Sequence, residues 1–524
     1  RDCQTRYILQ DKSSMVGLPA AVITKSTLDG QVLYQTSNYY KQSDQLSNKQ
    51  GLYEEITHEH KLINNQAFSG RSDDWIHQTS VTRISFLPAV LTKTVRVDKK
   101  QQTRLLDQKL DFDLYSGQPT HSYTEDGYGN GFVTKTTPAY RHYKEMDAKN
   151  MLTQGGASYT YLMQDDFDPN AFQSGDELLQ EGTKVQGLLG ASFQAWSKNI
   201  PVVDRSSEAF LQSNESIYRL SATYEFIGNE TNSLSRDGSL GLGNFTEMPF
   251  YNRDAINTPL AELGLNLKLG LPEWQKNSEM TLYDVNSHLL ETRDINGVYA
   301  SSRYDNSNDD LYATAANARY SEFAFTGLED EPIWQDGPDP LGGGASRSGG
   351  IIGSVDDGYL VHTGDRSVRT TTFQYPLLFE IENAESEKYR ASVWCTHPQA
   401  IMECIVDGQL VRTVSASEAK KAGSWYLIEM TVDVNWGESI KFRTKSLNGR
   451  TMYWDDFRVH PVDAVMNSFV YNKYGELSDV LDANNLFTHY EYDAAGRLKS
   501  ITRETMDYGP VKVSERVIHY SETN

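Results

Sequence analysis

Tyr283-Asp284-Val285-Asn286-Ser287-His288-Leu289 and Tyr471-Asn472-Lys473-Tyr474-Gly475-Glu476-Leu477 open two segments that keep one register. From Tyr283 the chain places Leu289 at +6, Asp294 at +11, Gly297 at +14, Tyr299 at +16 and a second pair, Tyr304-Asp305, at +21. From Tyr471 it places Gly475 at +4, Leu477 at +6, Asp482 at +11, Asn485 at +14, Phe487 at +16 and Tyr492-Asp493 at +21. A 21-residue period with two turn signals per unit predicts a repeated two-stranded hairpin. Such a unit is too small to bury its own face, so neighbours must stack into a continuous sheet. Glycine or asparagine at +14 supplies a turn residue that tolerates positive φ.

Between the segments lies an insert, Phe325 to Asp463. Its Gly/Pro/Asp-rich opening, residues 336–344, reads as a loop. Clean strands follow: Leu378 to Glu382, Tyr389 to Cys395, Glu403 to Val406, Leu410 to Val414, Tyr426 to Val434, Ile440 to Thr444 and Met452 to Val459. Asp407-Gly408 makes a two-residue hairpin between the third and fourth. Seven short strands in this length predict a β-sandwich of jelly-roll type.

Upstream, Ala21-Val22-Ile23-Thr24 and Leu91 to Val97 read as strands, and Leu28-Asp29-Gly30-Gln31 as an Asp-Gly hairpin turn. Denser turns, Asp126-Gly127, Gly129-Asn130-Gly131 and Asp237-Gly238, punctuate the next stretch; Asp176 to Gln180 is its best short helix candidate. The expected fold is all-β. Its parts are an N-terminal β-rich region (1–110), an irregular β region that could hold degenerate repeats (111–270), hairpin repeats (271–324), a jelly-roll insert (325–463) and further hairpin repeats (464–524).

Composition supports this. Of the 524 residues 11% are aromatic, 31 of them tyrosine, while the apolar fraction is only 38%. Strand formers with a polar tip suit sheets that are wet on one face. The net charge of −22 and the lack of any basic run beyond a pair of lysines argue against nucleic acid as a partner. No stretch of 18 apolar residues exists to span a membrane. Arg1-Asp2-Cys3-Gln4 carries no basic-then-apolar leader, and the chain reads as a piece of a longer protein. Cysteine is sparse; Cys395 and Cys404 could face each other across a hairpin as a disulfide or as two packed thiols.

Tyr492-Asp493-Ala494-Ala495-Gly496-Arg497-Leu498 resembles the core of the YD/RHS repeat family: tyrosine, aspartate, two variable residues, glycine, arginine, leucine. The copy at Tyr471 lacks the aspartate and the arginine, and the copy at Tyr283 has Ser287 in place of the glycine. The resemblance implies a β-sheet strip that spirals into a shell in bacterial surface, secreted or toxin-delivery proteins. Its partners would be other segments of the same long chain or an enclosed toxin domain. This chain departs from the complete form in showing few recognisable repeats.

The insert is similar to galactose-binding-like jelly rolls that serve as carbohydrate-binding modules. Phe325-Thr326-Gly327-Leu328-Glu329-Asp330, His362-Thr363-Gly364-Asp365-Arg366-Ser367 and Tyr453-Trp454-Asp455-Asp456-Phe457-Arg458-Val459 carry that likeness. It implies a structural Ca²⁺ joining the opening and closing strands, with Glu329 and Asp456 as side-chain ligands and Asp455 as a third. Hard oxygen ligands from both chain ends would pin the sandwich shut; the alternative is that these acids are merely solvated or cap a turn.

A glycan ligand would need exposed aromatics. Trp394, Trp425, Tyr426, Trp436, Tyr453 and Trp454 are available, but most tryptophans in sandwich strands belong in the core; Trp334 and Trp436, near loops, are the candidate sugar-stacking residues. His58-Glu59-His60 could offer zinc two ligands, but no third is apparent, and a polar strand with two histidines is the commoner explanation. No nucleophile elbow, zinc-protease helix or phosphate-cradling glycine loop is present. The acids Asp165, Asp166 and Asp168 could serve glycoside hydrolysis or be solvated turn residues. The expected function is a non-catalytic scaffold, secreted or on the cell surface. The rivals are a carbohydrate-binding adhesin and, more weakly, a glycoside-processing enzyme.

Overall fold

The computed structural model describes residues 9–11, 16–42, 53–63, 75–86, 89–113, 115–172, 185–211, 217–226, 274–306, 309–329, 341–447, 449–506 and 508–516. The fold is all-β, and the chain divides into two compact units: residues 1–195 with 223–275, and residues 196–222 with 276–524. The helix candidate at Asp176 to Gln180, Asp237-Gly238 and Trp334 lie outside the described residues.

In the first unit an antiparallel meander runs Ala21–Lys25, Val32–Gln42, Ala89–Asp98, Thr103–Phe112, Pro119–Glu125, Gly131–Pro138 and Gly155–Met163. The expected turn at Asp29-Gly30 closes its first hairpin: Gly30 has φ +71° and the Asp29 carboxylate accepts from the Gln31 N–H. Tyr53–Ile63 and Trp75–Phe86 pair in a separate small sheet; His58 and His60 lie on the first of these, with side chains outside the description. A helix that sequence did not suggest, Lys144–Ala148, sits in the connection before Gly155–Met163.

The second unit contains the repeat strip. Trp274–Asp284, Leu289–Asp294, Tyr299–Tyr304 and Leu311–Ala316 form consecutive antiparallel hairpins. Val465–Tyr471, Leu477–Leu481, Phe487–Tyr492, Leu498–Thr505 and Gly509–Glu515 do the same. The two runs join directly, since Ala313 pairs with Ser468 and Ala316 with Val465. One sheet therefore continues across the insert.

A single turn geometry explains the repeat motif. At Asp294, Asp482, Asp493 and Asn472 the backbone C=O accepts from the N–H three residues on, and the backbone N–H donates to the C=O four residues on. The same side chain's Oδ1 accepts from the N–H groups at +2 and +4, at 2.8–3.2 Å. The residue at +3 must then take positive φ: Gly297 +82°, Asn485 +62°, Gly496 +70° and Gly475 +76°. The repeat's aspartate is thus a turn acceptor and its glycine the left-handed residue of a three-residue hairpin loop. Ser287 holds φ +75° in the copy that lacks glycine. In the first unit Asp126, Tyr128, Gly129 and Asn130 reproduce the same bonds.

The insert is a two-sheet sandwich. One sheet orders Ile351–Ser354, Arg366–Thr370, Met452–Pro461, Lys388–Cys395, Trp425–Asp433 and Lys420–Ala422, with Ala324–Thr326 also on Met452–Pro461. The other orders Ser346–Ser348, Tyr375–Ile381, Ile440–Lys445, Ile401–Val406 and Gln409–Ser415. All seven strands read from sequence are present. Burying apolar faces from both sheets, including Trp454, Phe457, Phe442 and Met402, builds the core. Cys395 and Cys404 are both buried free thiols in that core, one on each sheet, so no hairpin joins them and the disulfide alternative does not form.

Candidate functional site

The outer face of the insert's larger sheet is covered by the repeat strip. Trp394, Trp425 and Leu427 pack there with Leu486 and Met506 from the repeats. The turn at Asp482 fits into this face. The Trp394 indole N–H donates to the Asn485 carbonyl at 2.8 Å, and the Asn485 amide donates to the Asp456 carbonyl at 3.0 Å and to Ser392 Oγ at 3.2 Å. Arg458, 1% exposed, donates to the carbonyls of Asp482 and Met466. Burial lowers its pKa to about 10.

His362 lies at the centre of this seam. Its Nδ1 is 2.6 Å from Asp456 Oδ2 and its Nε2 is 3.0 Å from Glu504 Oε1. Its ring stacks on Trp394 with centroids 4.2 Å apart, and the edges of Trp425 and Phe487 close round it. Burial alone would favour the neutral ring, but the hydrogen bonds and charges of the two carboxylates override it and push the pKa up to about 9. With a carboxylate at each nitrogen, both must donate, which defines an imidazolium. Sequence placed His362 only inside a stretch of resemblance; Glu504, 142 residues on, could not be tied to it.

The expected calcium ligands all lie near this seam. Asp455 and Asp456 are fully buried. Asp456 accepts from His362 and from Thr363 Oγ1 at 2.8 Å, while Asp455 accepts from the backbone N–H of His362 and of Asp456, each at 2.8 Å. Burial and the neighbouring Asp456 charge hold the Asp455 carboxyl well above the usual range. Glu329 Oε1 accepts from the N–H groups of Asp365 and Arg366, both at 2.9 Å. It lies so close under Gly364 (φ +61°) that a Cβ there would come within 2.3 Å of it. Both oxygens of each aspartate are therefore taken by the chain's own donors, and the cation facing Asp456 is His362. Among the described residues no group of three or more His, Cys, Asp or Glu side chains is placed to hold a metal ion. As arranged, these residues do not offer an open calcium ligand set; an ion would have to displace His362 and Thr363 from Asp456.

Burial pushes the Glu329 carboxyl up to about 8. A folded-state pKa above the unfolded value gives stability that is full below about pH 4.5 and lost as pH rises through about 8. Glu329→Gln keeps the carbonyl acceptor and removes that loss. Above pH 8 it should raise the melting temperature, by roughly 2 kcal/mol of stability after discounting for partial exposure. A calcium ligand would behave oppositely, so a lower melting temperature for the variant in calcium buffer would reinstate the ion.

Other histidines carry the reverse sign. Burial, with Arg458 alongside, lowers His460 in the sandwich to about 4, and burial with Arg141 does the same for His142 in the first unit. Their contribution is present above about pH 6.5 and lost as pH falls towards 4, at about 2–3 kcal/mol each. Thermal melts at pH 7 and pH 4.5 should show both units weakening in acid. A His460→Gln variant that keeps the full acid loss in the sandwich would contradict the assignment.

Of the aromatics, Trp394 and Trp454 are fully buried and Trp425 nearly so, whereas Trp436 is 76% exposed. It stands on the turn after Trp425–Asp433, where Asn435 and Glu438 hydrogen-bond each other. Asp165, Asp166 and Asp168 are exposed in the turn after Gly155–Met163, where Asp168 accepts from the Asn170 N–H.

No curated protein matches the chain. Among solved structures it is similar to a family GH115 4-O-methyl-alpha-glucuronidase at 13% identity and TM-score 0.16, covering 19% of this chain and 14% of that one. It is also similar to TmCBM61, solved with beta-1,4-galactotriose (16% identity, TM-score 0.17, covering 27% of this chain and 90% of that one). A family 35 carbohydrate-binding module from Clostridium thermocellum aligns at 14% identity and TM-score 0.18, covering 27% of this chain and 98% of that one. Residues 471–506, the hairpins whose turns were just described, match the family model for the RHS repeat.

Proposed function

We propose that this chain is a non-catalytic structural segment of a large bacterial RHS/YD-repeat protein, secreted or displayed at the cell surface. Its hairpin strip would form part of a wall, and the jelly roll would be a module fixed to it. The observation that carries this reading is the pairing of Leu311–Ala316 with Val465–Tyr471, which keeps one sheet unbroken across the insert. A module merely threaded on a flexible stalk needs neither that pairing nor a buried seam. Other segments of the same chain, or an enclosed toxin domain, would be the partners of such a wall. No helix among the described residues is long and apolar enough to cross a membrane. Electron microscopy of the longer protein that contains this chain is the test. A curved wall continuing from both ends of the strip is expected; a strip ending as an isolated domain would overturn the reading.

A second reading has one observation in its favour, the exposed Trp436 ring on a sandwich loop. Exposed aromatics stack on sugar rings, and a jelly roll could hold a glycan there. A glycan-array screen of the full chain beside Trp436→Ala tests this, and equal binding by both proteins would remove it. Calcium enters the same screen: the melting temperature is expected to be the same with calcium and with chelator.

A further inference from the structure

Residues 200–211 dock on the first repeats without belonging to their run of hairpins. Val202–Asp204 and Ala209–Leu211 form a short hairpin of their own. Its first strand lies parallel to the end of Trp274–Asp284, with Val202 opposite Tyr283 and Val203 opposite Asp284. The Tyr283 N–H donates to the Pro201 carbonyl at 3.2 Å, and the Val285 N–H to the Val203 carbonyl at 3.1 Å. So short a parallel ladder holds little by itself, and the attachment falls to side chains.

Those side chains enter two holes of opposite charge. Val203 packs with Leu282, Leu290 and Tyr320, and Val202 with Ile200 and Tyr283. Arg205, 7% exposed, turns into the first two repeat turns. Its Nε lies 2.9 Å from Oδ2 of the fully buried Asp284, and its guanidinium also donates to Asp309 and to the Asp305 carbonyl. Three residues on, both Glu208 carboxylate oxygens accept from Nη1 of the buried Arg303 at 3.1 Å, and one accepts from the Tyr320 hydroxyl at 3.3 Å. Glu208 holds φ +53° in this position, a conformation that persists in a non-glycine residue where its surroundings fix it. Ser206 and Ser207 between the two charges, and Ala209 to Leu211 after them, are exposed. Contact therefore rests on two valines, one arginine and one glutamate at fixed spacing. Opposite charges three residues apart admit one strand direction and one register, which apolar packing alone would not select.

The same contact accounts for the imperfect motif in these repeats. Asp284 accepts from the His288 N–H at 2.7 Å, as a turn aspartate should, and also holds Arg205. Ser287, standing where the motif has glycine, accepts from Arg219 Nε at 3.1 Å. The turn after Tyr304 offers the Asp305 carbonyl and Asp309 to the same guanidinium, so Arg205 bridges two consecutive repeat turns. We propose that the first two repeats form a peptide-binding socket, and that residues 202–208 are its tethered, releasable occupant. Its ligand class is an extended strand with two adjacent β-branched residues, arginine two positions after the second, and glutamate three positions after the arginine. The socket is independent of the scaffold reading and of Trp436.

The test uses the full chain carrying Arg205→Ala and Glu208→Ala together, which withdraws both charges from the socket. The probe is a fluorescent synthetic peptide of residues 199–211, followed by polarisation. The doubly substituted chain should bind it with a dissociation constant of roughly micromolar. The wild type, whose socket is filled by its own tethered segment, should bind at least about tenfold more weakly. A peptide that itself carries Arg205→Ala should lose a similar factor on the doubly substituted chain, and a scrambled peptide should not bind. Equal binding by the two chains, or by the native and scrambled peptides, would overturn the proposal. So would a doubly substituted chain that melts like the wild type and takes up no peptide. Should that chain fail to fold, hydrogen exchange on the wild type decides. The Tyr283 and Val285 N–H groups, which donate to the docked segment, should exchange by local opening well before those of Leu289–Asp294. Exchange of both sets together would overturn a releasable occupant.

Discussion

Replacing His362 with leucine should destabilise the second unit by about 3–5 kcal/mol, because it strands Asp456 and Glu504 as buried carboxylates without their shared cation. Both acids are at least 96% buried, and Glu504 Oε2 already lacks a hydrogen-bond partner. At the size of this unit the loss corresponds to a fall of roughly 10 °C in melting temperature. The pH profile should change as well. The wild-type contribution is complete below about pH 6.5 and disappears as pH rises through about 9, and the leucine variant should lack that alkaline decline. His362→Gln tests packing against charge, since it fills space and can donate one hydrogen bond but carries no charge. A melting temperature unchanged in both variants at pH 6 would mean that the bridge contributes nothing. Added calcium restoring the leucine variant would mean that an ion can take the cation's place between the acids.

The parts of this fold legible in the sequence were those encoded locally. The turns and their positive-φ residues follow from residues fewer than five apart, the 21-residue spacing repeats them along the chain, and the structure contains both. The sandwich strands were legible too, as short runs of strand formers bounded by turn residues. Trp436 was legible because its neighbours Asn435 and Gly437 mark a turn. Strands without a clear pattern were missed: Ser346–Ser348, Ile351–Ser354 and Arg366–Thr370 are short and built around glycine, serine and arginine. The seam was out of reach for another reason. Asp455 and Asp456 look alike as exposed ligands or as buried acceptors, and the difference is made by His362, 94 residues upstream of Asp456, and by Glu504 in a repeat strand. Only the closure of the strip across the insert brings those three together.

Asn485 joins the local and the long-range parts of the structure, and its substitution should cost about 3 kcal/mol. The expected result is a graded series. Asn485→Gly keeps the left-handed turn and loses the two amide hydrogen bonds to Ser392 and the Asp456 carbonyl, about 2 kcal/mol in a buried site. Asn485→Ala loses the same bonds and also forces a Cβ-bearing residue with no local polar compensation to hold φ +62°, adding about 1 kcal/mol. At Gly475, where the same turn is exposed and a Cβ would meet nothing within 4 Å, Gly475→Ala should cost only the backbone component, again about 1 kcal/mol. Denaturant titrations of the three variants separate the two contributions. If Asn485→Gly proves as stable as the wild type, asparagine is there for the turn alone and the strip is not fastened to the sandwich through it. If Asn485→Gly loses more stability than Gly475→Ala, the turn has been adapted at this one repeat to anchor the inserted module. The departure from glycine would then be the sequence trace of a docking contact.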